Sequence, residues 1–255
     1  MRARGVAVIT GGTKGIGVAT AHRLVADGHP VMLTYRRDEQ AAHAARRLLE
    51  KQGGEVNLVR CDLSEGPAPV LEALASDART IDILMLNAAA SAFKPLAELK
   101  QHHVAKTFGI TIGAMIELVN AAAPRMTAGG SIISISGGDS MRHIPGHGLL
   151  GGAKAALEAL TKYYAVELAP RGIRVNCVLP GPVATDSARI WAGEDYESFL
   201  RRASAATPAG RIADPGDIAA VIRLLCQPDA RWINGQVVVA DGGMFFSDRI
   251  FTEDA

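Results

Sequence analysis

The residues from Thr10 to Gly17, TGGTKGIG, have the types and spacing to hold a dinucleotide. They follow the apolar run Val6 to Ile9 and precede an amphipathic stretch from Val18 to Ala26, so the sequence predicts a strand, a tight turn and a helix. Glycines in such a turn let the backbone approach a pyrophosphate, and the helix N-terminus adds amide donors and a favourable dipole. Gly11, Thr13, Lys14, Gly15, Ile16 and Gly17 are therefore candidate phosphate-binding residues. A second set stands at the end of the next predicted strand, where an acidic residue would grip ribose hydroxyls; here the sequence is Tyr35-Arg36-Arg37. A guanidinium forks onto a phosphate that a carboxylate would repel, and with Lys14 as a further cation the pattern favours NADPH over NADH. The plainer account, two arginines opening a solvated helix before Asp38 and Glu39, stays open.

Elements able to position these groups recur along the chain. The apolar runs VAVIT, PVMLTY, VNLVRC, IDILMLN, SIISIS, IRVNCVL and QVVVA are separated by helix-sized intervals. That rhythm predicts an α/β fold: a Rossmann-like, doubly wound parallel sheet flanked by helices. Ligands bind beyond the carboxyl ends of the strands in such sheets, which singles out Asp62-Leu63, Asn87-Ala88 and the turn Pro180-Gly181 with Val183 and Thr185. A length of 255 residues with 48% hydrophobic content suits a single domain over 1–255. The segment of about 185–208, SARIWAGEDYESFLRRASAATP with its flanking Thr185, interrupts the rhythm and reads as a substrate lid. Tyr196 and Phe199, at helical spacing, read as packing residues, and Trp191 as a contact for a flat polycyclic substrate.

A net charge of +1 with no long basic run lacks the footprint of a nucleic-acid binder. Cys61, Cys177 and Cys226 are widely spaced, form no disulfide frame or metal motif, and read as reduced cytoplasmic thiols. The seven histidines are scattered, and the adjacent His102 and His103 suit a solvated helix better than a zinc ion, so no metal is expected. Arg2 and Arg4 lead straight into a short strand without the apolar stretch of a signal peptide, and no apolar run approaches transmembrane length, so no membrane association is expected.

The glycine loop, Asp62-Leu63, Asn87-Ala88-Ala89, Lys154 in AKAALEALTKYYAVEL, Pro180-Gly181 after IRVNCVL, and the C-terminal TPAGRIADPGDIAAVIRLL and INGQVVVADGG together resemble the short-chain dehydrogenase/reductase family over nearly the whole chain. The resemblance implies roles for several positions. Asp62 would accept from the adenine amine, Pro180 to Thr185 would hold the nicotinamide carboxamide, and Lys154 would bind the nicotinamide ribose. It also implies a homotetramer built from helix pairs and the C-terminal strand around Val237 to Gly243. The family's Asn-Asn-Ala-Gly appears as Leu86-Asn87-Ala88-Ala89, so two of its four positions depart.

The catalytic positions depart further. The family protonates a carbonyl with tyrosine, polarises it with serine and organises a proton path with asparagine. Counted back from Lys154, these positions hold Leu150, Gly137 and, near the third, Thr111. Losing a general acid typically costs about 10² to 10⁴ in rate, about 3 to 5 kcal/mol of barrier. Ser136 neighbours the lost serine, although the alternation of SIISIS explains it equally well. His147, seven residues before Lys154, has the longer spacing at which enoyl-carrier-protein reductases of this superfamily carry their tyrosine, and imidazole exchanges protons near neutral pH; PGHG also reads as a solvated loop. Three readings follow. The first is an NADPH-dependent ketoreductase resembling an atypical branch without the tyrosine, that of angucyclinone-type aromatic polyketides, in which the substrate's phenol supplies the proton. The second is an enoyl-thioester reductase using His147, and the third a non-catalytic NADP(H)-binding subunit.

Overall fold

The computed structural model describes residues 4–247, which leaves Arg2 outside it. Seven strands form one sheet: β1 Val6–Ile9, β2 Val31–Tyr35, β3 Val56–Arg60, β4 Ile81–Leu86, β5 Met126–Ile135, β6 Arg174–Pro180 and β7 Val237–Ala240. All pairings are parallel and the order is β3-β2-β1-β4-β5-β6-β7. Each strand overlaps one of the apolar runs expected to form it, β5 starting five residues before its run, at Met126, and the chain has the expected Rossmann-like architecture.

The strands are mostly apolar because both faces are covered. Val6 and Val8 of β1 join one core cluster, while Ala7 and Ile9 join the other, as the period of two requires. On one face lie α1 (Gly15–Ala26), α2 (Glu39–Glu50) and α9 (Pro215–Cys226), which contribute Leu24, Leu49 and Ile222. On the other lie α3 (Ala68–Ser76), α4 (Gln101–Phe108), α5 (Ala114–Ala122) and α6 (Gly148–Leu168), with Leu74, Leu118 and Leu157. Each such side chain, taken from water to full burial, contributes about 1.5–3 kcal/mol. Two further helices, α7 (Asp186–Ala192) and α8 (Tyr196–Ala206), fill the segment read as a lid.

Between α4 and α5 the backbone makes one π-helical turn, Gly109–Gly113, an irregularity that often marks a functional site. The continuous helical run Gln101–Arg125 does reach the length and apolarity of a membrane span, contrary to the reading of the apolar runs alone. Its α5 portion buries Met115, Leu118 and Val119 in the domain core, which accounts for its apolar composition.

Candidate active site

The strand order reverses between β1 and β4, which opens a crevice at their carboxyl ends. The turn after β1 is held in place from β4. Thr10 Oγ1 accepts from the backbone N–H groups of Asn87 at 2.9 Å and Ala88 at 3.0 Å, and Asn87 Nδ2 donates to the carbonyls of Thr10 at 3.0 Å and Gly11 at 3.1 Å. Gly11 sits at φ +60°, and a β-carbon on Gly17 would stand 2.3 Å from the Gly11 carbonyl oxygen. These two positions therefore require glycine for conformation and for close packing. Lys14 precedes α1 in extended conformation without a side-chain cap, so the first amides of the helix stay available to an anion.

Beyond the turn lies a cavity of about 570 Å³. Of the residues predicted from sequence, its wall contains Gly11, Lys14, Gly15, Ile16, Arg36, Asp62, Leu63, Asn87, Ala88, Ser136, Lys154, Pro180, Val183 and Thr185. Thr13, Gly17, Gly181, Arg37, His147 and Trp191 lie outside that wall. Gly17 and Gly181 act in packing: a β-carbon on Gly181 would sit 2.9 Å from Asp241 Cα. Arg37 is exposed, in the bend that follows β2. Thr34, Ile110, Ile135, Ser187 and Ala188 also line the cavity; carrying no charge and no motif, they gave no sequence signal.

Electrostatics at the two ends differ. Near the end of β2, Lys14 pairs with Asp38, which is also the N-cap of α2, and lies 3.7 Å from Asp186 at the start of α7. The hydrogen bond to Asp38 raises the Lys14 pKa, and the same contact lowers that of Asp38. Asp62 accepts from Ser64 N–H at 3.1 Å and Ser64 Oγ at 2.7 Å, and the latter bond leads the lowering of its pKa.

At the other end, Lys154 is 6% exposed and its Nζ donates to the Ile135 carbonyl at 2.6 Å. Burial lowers its pKa, against the opposing charges of Asp139 and Glu158. Ser136 donates its hydroxyl proton to Glu158 Oε1, which also accepts from Ser140 Oγ at 2.6 Å. In this arrangement Ser136 has no proton left to polarise a carbonyl, so its expected role is not supported. Thr111, in the π turn, is 3% exposed and its hydroxyl has no partner.

His147 is not the solvated loop residue that PGHG suggested. It is the N-cap residue of α6, its side chain 15% exposed, with Nδ1 at 3.3 Å from Asp139 Oδ2. Phe93 packs on the ring at a centroid distance of 4.6 Å, and Trp191 of α7 stands edge-on at 5.2 Å. Trp191 also contacts Phe199 at 5.2 Å, while Tyr196 is buried beneath Arg189, as expected of a residue that packs the helices of this segment. Among the described residues no cluster of histidine, cysteine and carboxylates could hold a metal ion.

Comparison with known proteins bears on this geometry. A profile of the family described as enoyl-(acyl carrier protein) reductase matches residues 11–245. The 1-cyclohexenylcarbonyl-CoA reductase of Streptomyces collinus is 32% identical over 254 residues, 99% of this chain and 91% of the relative. Among solved structures, a short-chain dehydrogenase from Burkholderia cenocepacia J2315 in complex with NADP aligns with TM-score 0.86 at 30% identity, over 96% of this chain and 98% of its own. The angucycline C-6 ketoreductase LanV with bound NADP aligns with TM-score 0.87 at 29% identity, over 95% and 96%. These matches set aside the reading as a non-catalytic subunit. Sheet order, glycine turn, buried lysine and a family match spanning nearly all of its length agree: the chain belongs to the short-chain dehydrogenase/reductase family of oxidoreductases.

Proposed function

We propose that this protein is an NADPH-dependent ketoreductase that reduces a carbonyl of an aromatic polyketide of angucyclinone type, like the ketoreductase of simocyclinone biosynthesis, without a serine–tyrosine acid. One observation carries the reading: the surroundings of Lys154 hold no such acid. One helical turn before it stands Leu150, the serine position is Gly137, and Ser136 is engaged by Glu158. Tyr35 lines the cavity too, but at the end of β2 beside Arg36, the ribose-phosphate end.

Bound reduced nicotinamide supplies hydride. The chain's residues bind and orient. Arg36 and Lys14 take the 2′-phosphate, the amides opening α1 take the pyrophosphate, and Asp62 takes the adenine amine. Pro180, Val183 and Thr185 hold the carboxamide, and Lys154 holds the ribose hydroxyls and favours negative charge on the substrate oxygen. With no tyrosine, the reacting ketone is one conjugated to a phenol, so that charge developing on reduction is delocalised and a neighbouring hydroxyl supplies the proton internally. α7 and α8 form a lid over a flat ring system, with Trp191 as a contact. The NADP-bound ketoreductase LanV supports both cofactor and substrate class. We place the enzyme in the cytoplasm, in keeping with its three free thiols, as a homotetramer.

A second reading, an enoyl-thioester reductase with His147 as acid, is favoured by the place of His147 on α6 and by the name of the Streptomyces collinus relative. Following NADPH absorbance with a phenol-conjugated ketone and, separately, an enoyl thioester tests both. Oxidation with the ketone supports the first reading; oxidation with the thioester alone replaces it with the second.

A further inference from the structure

We propose that Asp139 and His147, next to the cavity wall rather than in it, form a subsite for a hydroxyl oxygen on the substrate ring, and that His147 returns to that oxygen the proton it gives up during reduction. The inference deepens the ketoreductase reading and rests on it.

Asp139 belongs to the short turn Gly138–Ser140, and its side chain is 6% exposed. A carboxylate only accepts, so at 3.3 Å the proton between it and His147 sits on Nδ1. That fixes the ring and leaves Nε2 for another partner. Nε2 is buried, and it has no hydrogen-bond partner among the described residues. Leaving a buried polar atom unpaired is costly, and such an atom calls for an explanation. A ligand oxygen supplies one. The flanking rings of Phe93 and Trp191 supply the flat, apolar walls that an arene carrying this oxygen needs.

The backbone is shaped around this pair. A β-carbon on Gly137 would stand 2.7 Å from Asp139 Oδ1, and one on Gly151 would stand 2.2 Å from the Asp139 carbonyl oxygen. Asp139 thus occupies the room that a side chain at the family's serine position would need. His147, the N-cap residue of α6, precedes Lys154 of that helix by seven residues, and the charge of Asp139 acts on Lys154 as well. Of the elements packed on the imidazole, the turn contributes the titratable Asp139; Phe93 and Trp191 are not titratable.

The step balances as follows. Hydride from NADPH bonds to the carbonyl carbon, and the C=O π pair takes the proton of the adjacent phenol. The phenolate takes a proton from His147 Nε2, which solvent resupplies while Nδ1–H stays on Asp139. Ketone, NADPH and one proton become alcohol and NADP⁺.

The test uses 8-hydroxy-1-tetralone and its 8-methoxy ether with NADPH, on wild type, His147→Gln and Asp139→Asn. On the hydroxy ketone, His147→Gln is expected to lower kcat about 10²-fold with NADPH affinity unchanged, and Asp139→Asn to lower it less. The methoxy ketone, with no proton to return, is reduced slowly and responds to neither substitution. Equal kcat for wild type and His147→Gln on the hydroxy ketone overturns the inference and leaves the ketoreductase reading standing. If wild type oxidises NADPH with neither ketone, that reading fails and the inference with it.

Discussion

An ammonium buried as Lys154 is, with one carbonyl for a partner, opposes folding. Its folded-state pKa is depressed by burial, so the penalty is complete below that value and fades as pH rises towards the unfolded value of about 10.4. Cofactor ribose would give the ammonium the hydroxyl partners it lacks. Lys154→Met is therefore expected to stabilise the free protein by about 1 kcal/mol at neutral pH and to abolish turnover, with weaker NADPH binding. Thermal unfolding without cofactor and an NADPH titration check the two halves separately. A variant less stable than wild type would show that the hydrogen bond to Ile135 outweighs the burial of charge.

At the level of elements, α7 is tied to the glycine turn, because Thr185 caps it by accepting from Ala188 N–H at 3.2 Å and also lies over Gly15. Its Trp191 touches both His147 and Phe199. If the helix closes on a flat substrate, Trp191→Ala raises KM for the ketone about tenfold, a loss of about 1.4 kcal/mol, with NADPH affinity unchanged; an unaltered KM assigns the ring to packing. α9 offers a stability test. Asp214 caps it, and Asp217 accepts from Asp214 N–H at 2.9 Å and from both terminal nitrogens of Arg211 at 2.6 and 2.9 Å. Those bonds to Arg211 lead in lowering the Asp217 pKa to about 2. Since the folded value lies below the unfolded one of about 3.9, the contribution is present above that pH and is lost as pH falls towards about 2. Asp217→Asn should cost about 0.5–1 kcal/mol at pH 7, by denaturant unfolding, with the difference from wild type narrowing in acid.

For the molecule as a whole, the outer face of α6 exposes Tyr163 at 69% and Val166 at 75%, and β7 is a sheet edge. If these faces join four copies, Val166→Glu shifts the mass in solution from tetramer to smaller species, read by light scattering; an unchanged mass removes α6 from the interface. The strands were legible in the sequence because sheets covered on both faces demand unbroken apolar runs, and the turn at Gly11 and Gly17 because no other residue fits there. Lys14, Arg36 and Lys154 were legible by charge and spacing. Asp139 was not: an aspartate in GGDS reads as turn polarity, and its meaning comes from a turn that carries it back to His147. The π turn around Thr111 escaped for a related reason, since the apolar pattern of Gly109–Gly113 continues the helix while the backbone does not.

The crowding between Gly137 and Asp139 couples two positions. A β-carbon at position 137 would stand 2.7 Å from Asp139 Oδ1, so a serine there requires the Asp139 side chain, 3.3 Å from His147, to shift. Rebuilding the family's acid with Gly137→Ser and Leu150→Tyr is therefore expected to need a change at Asp139 as well.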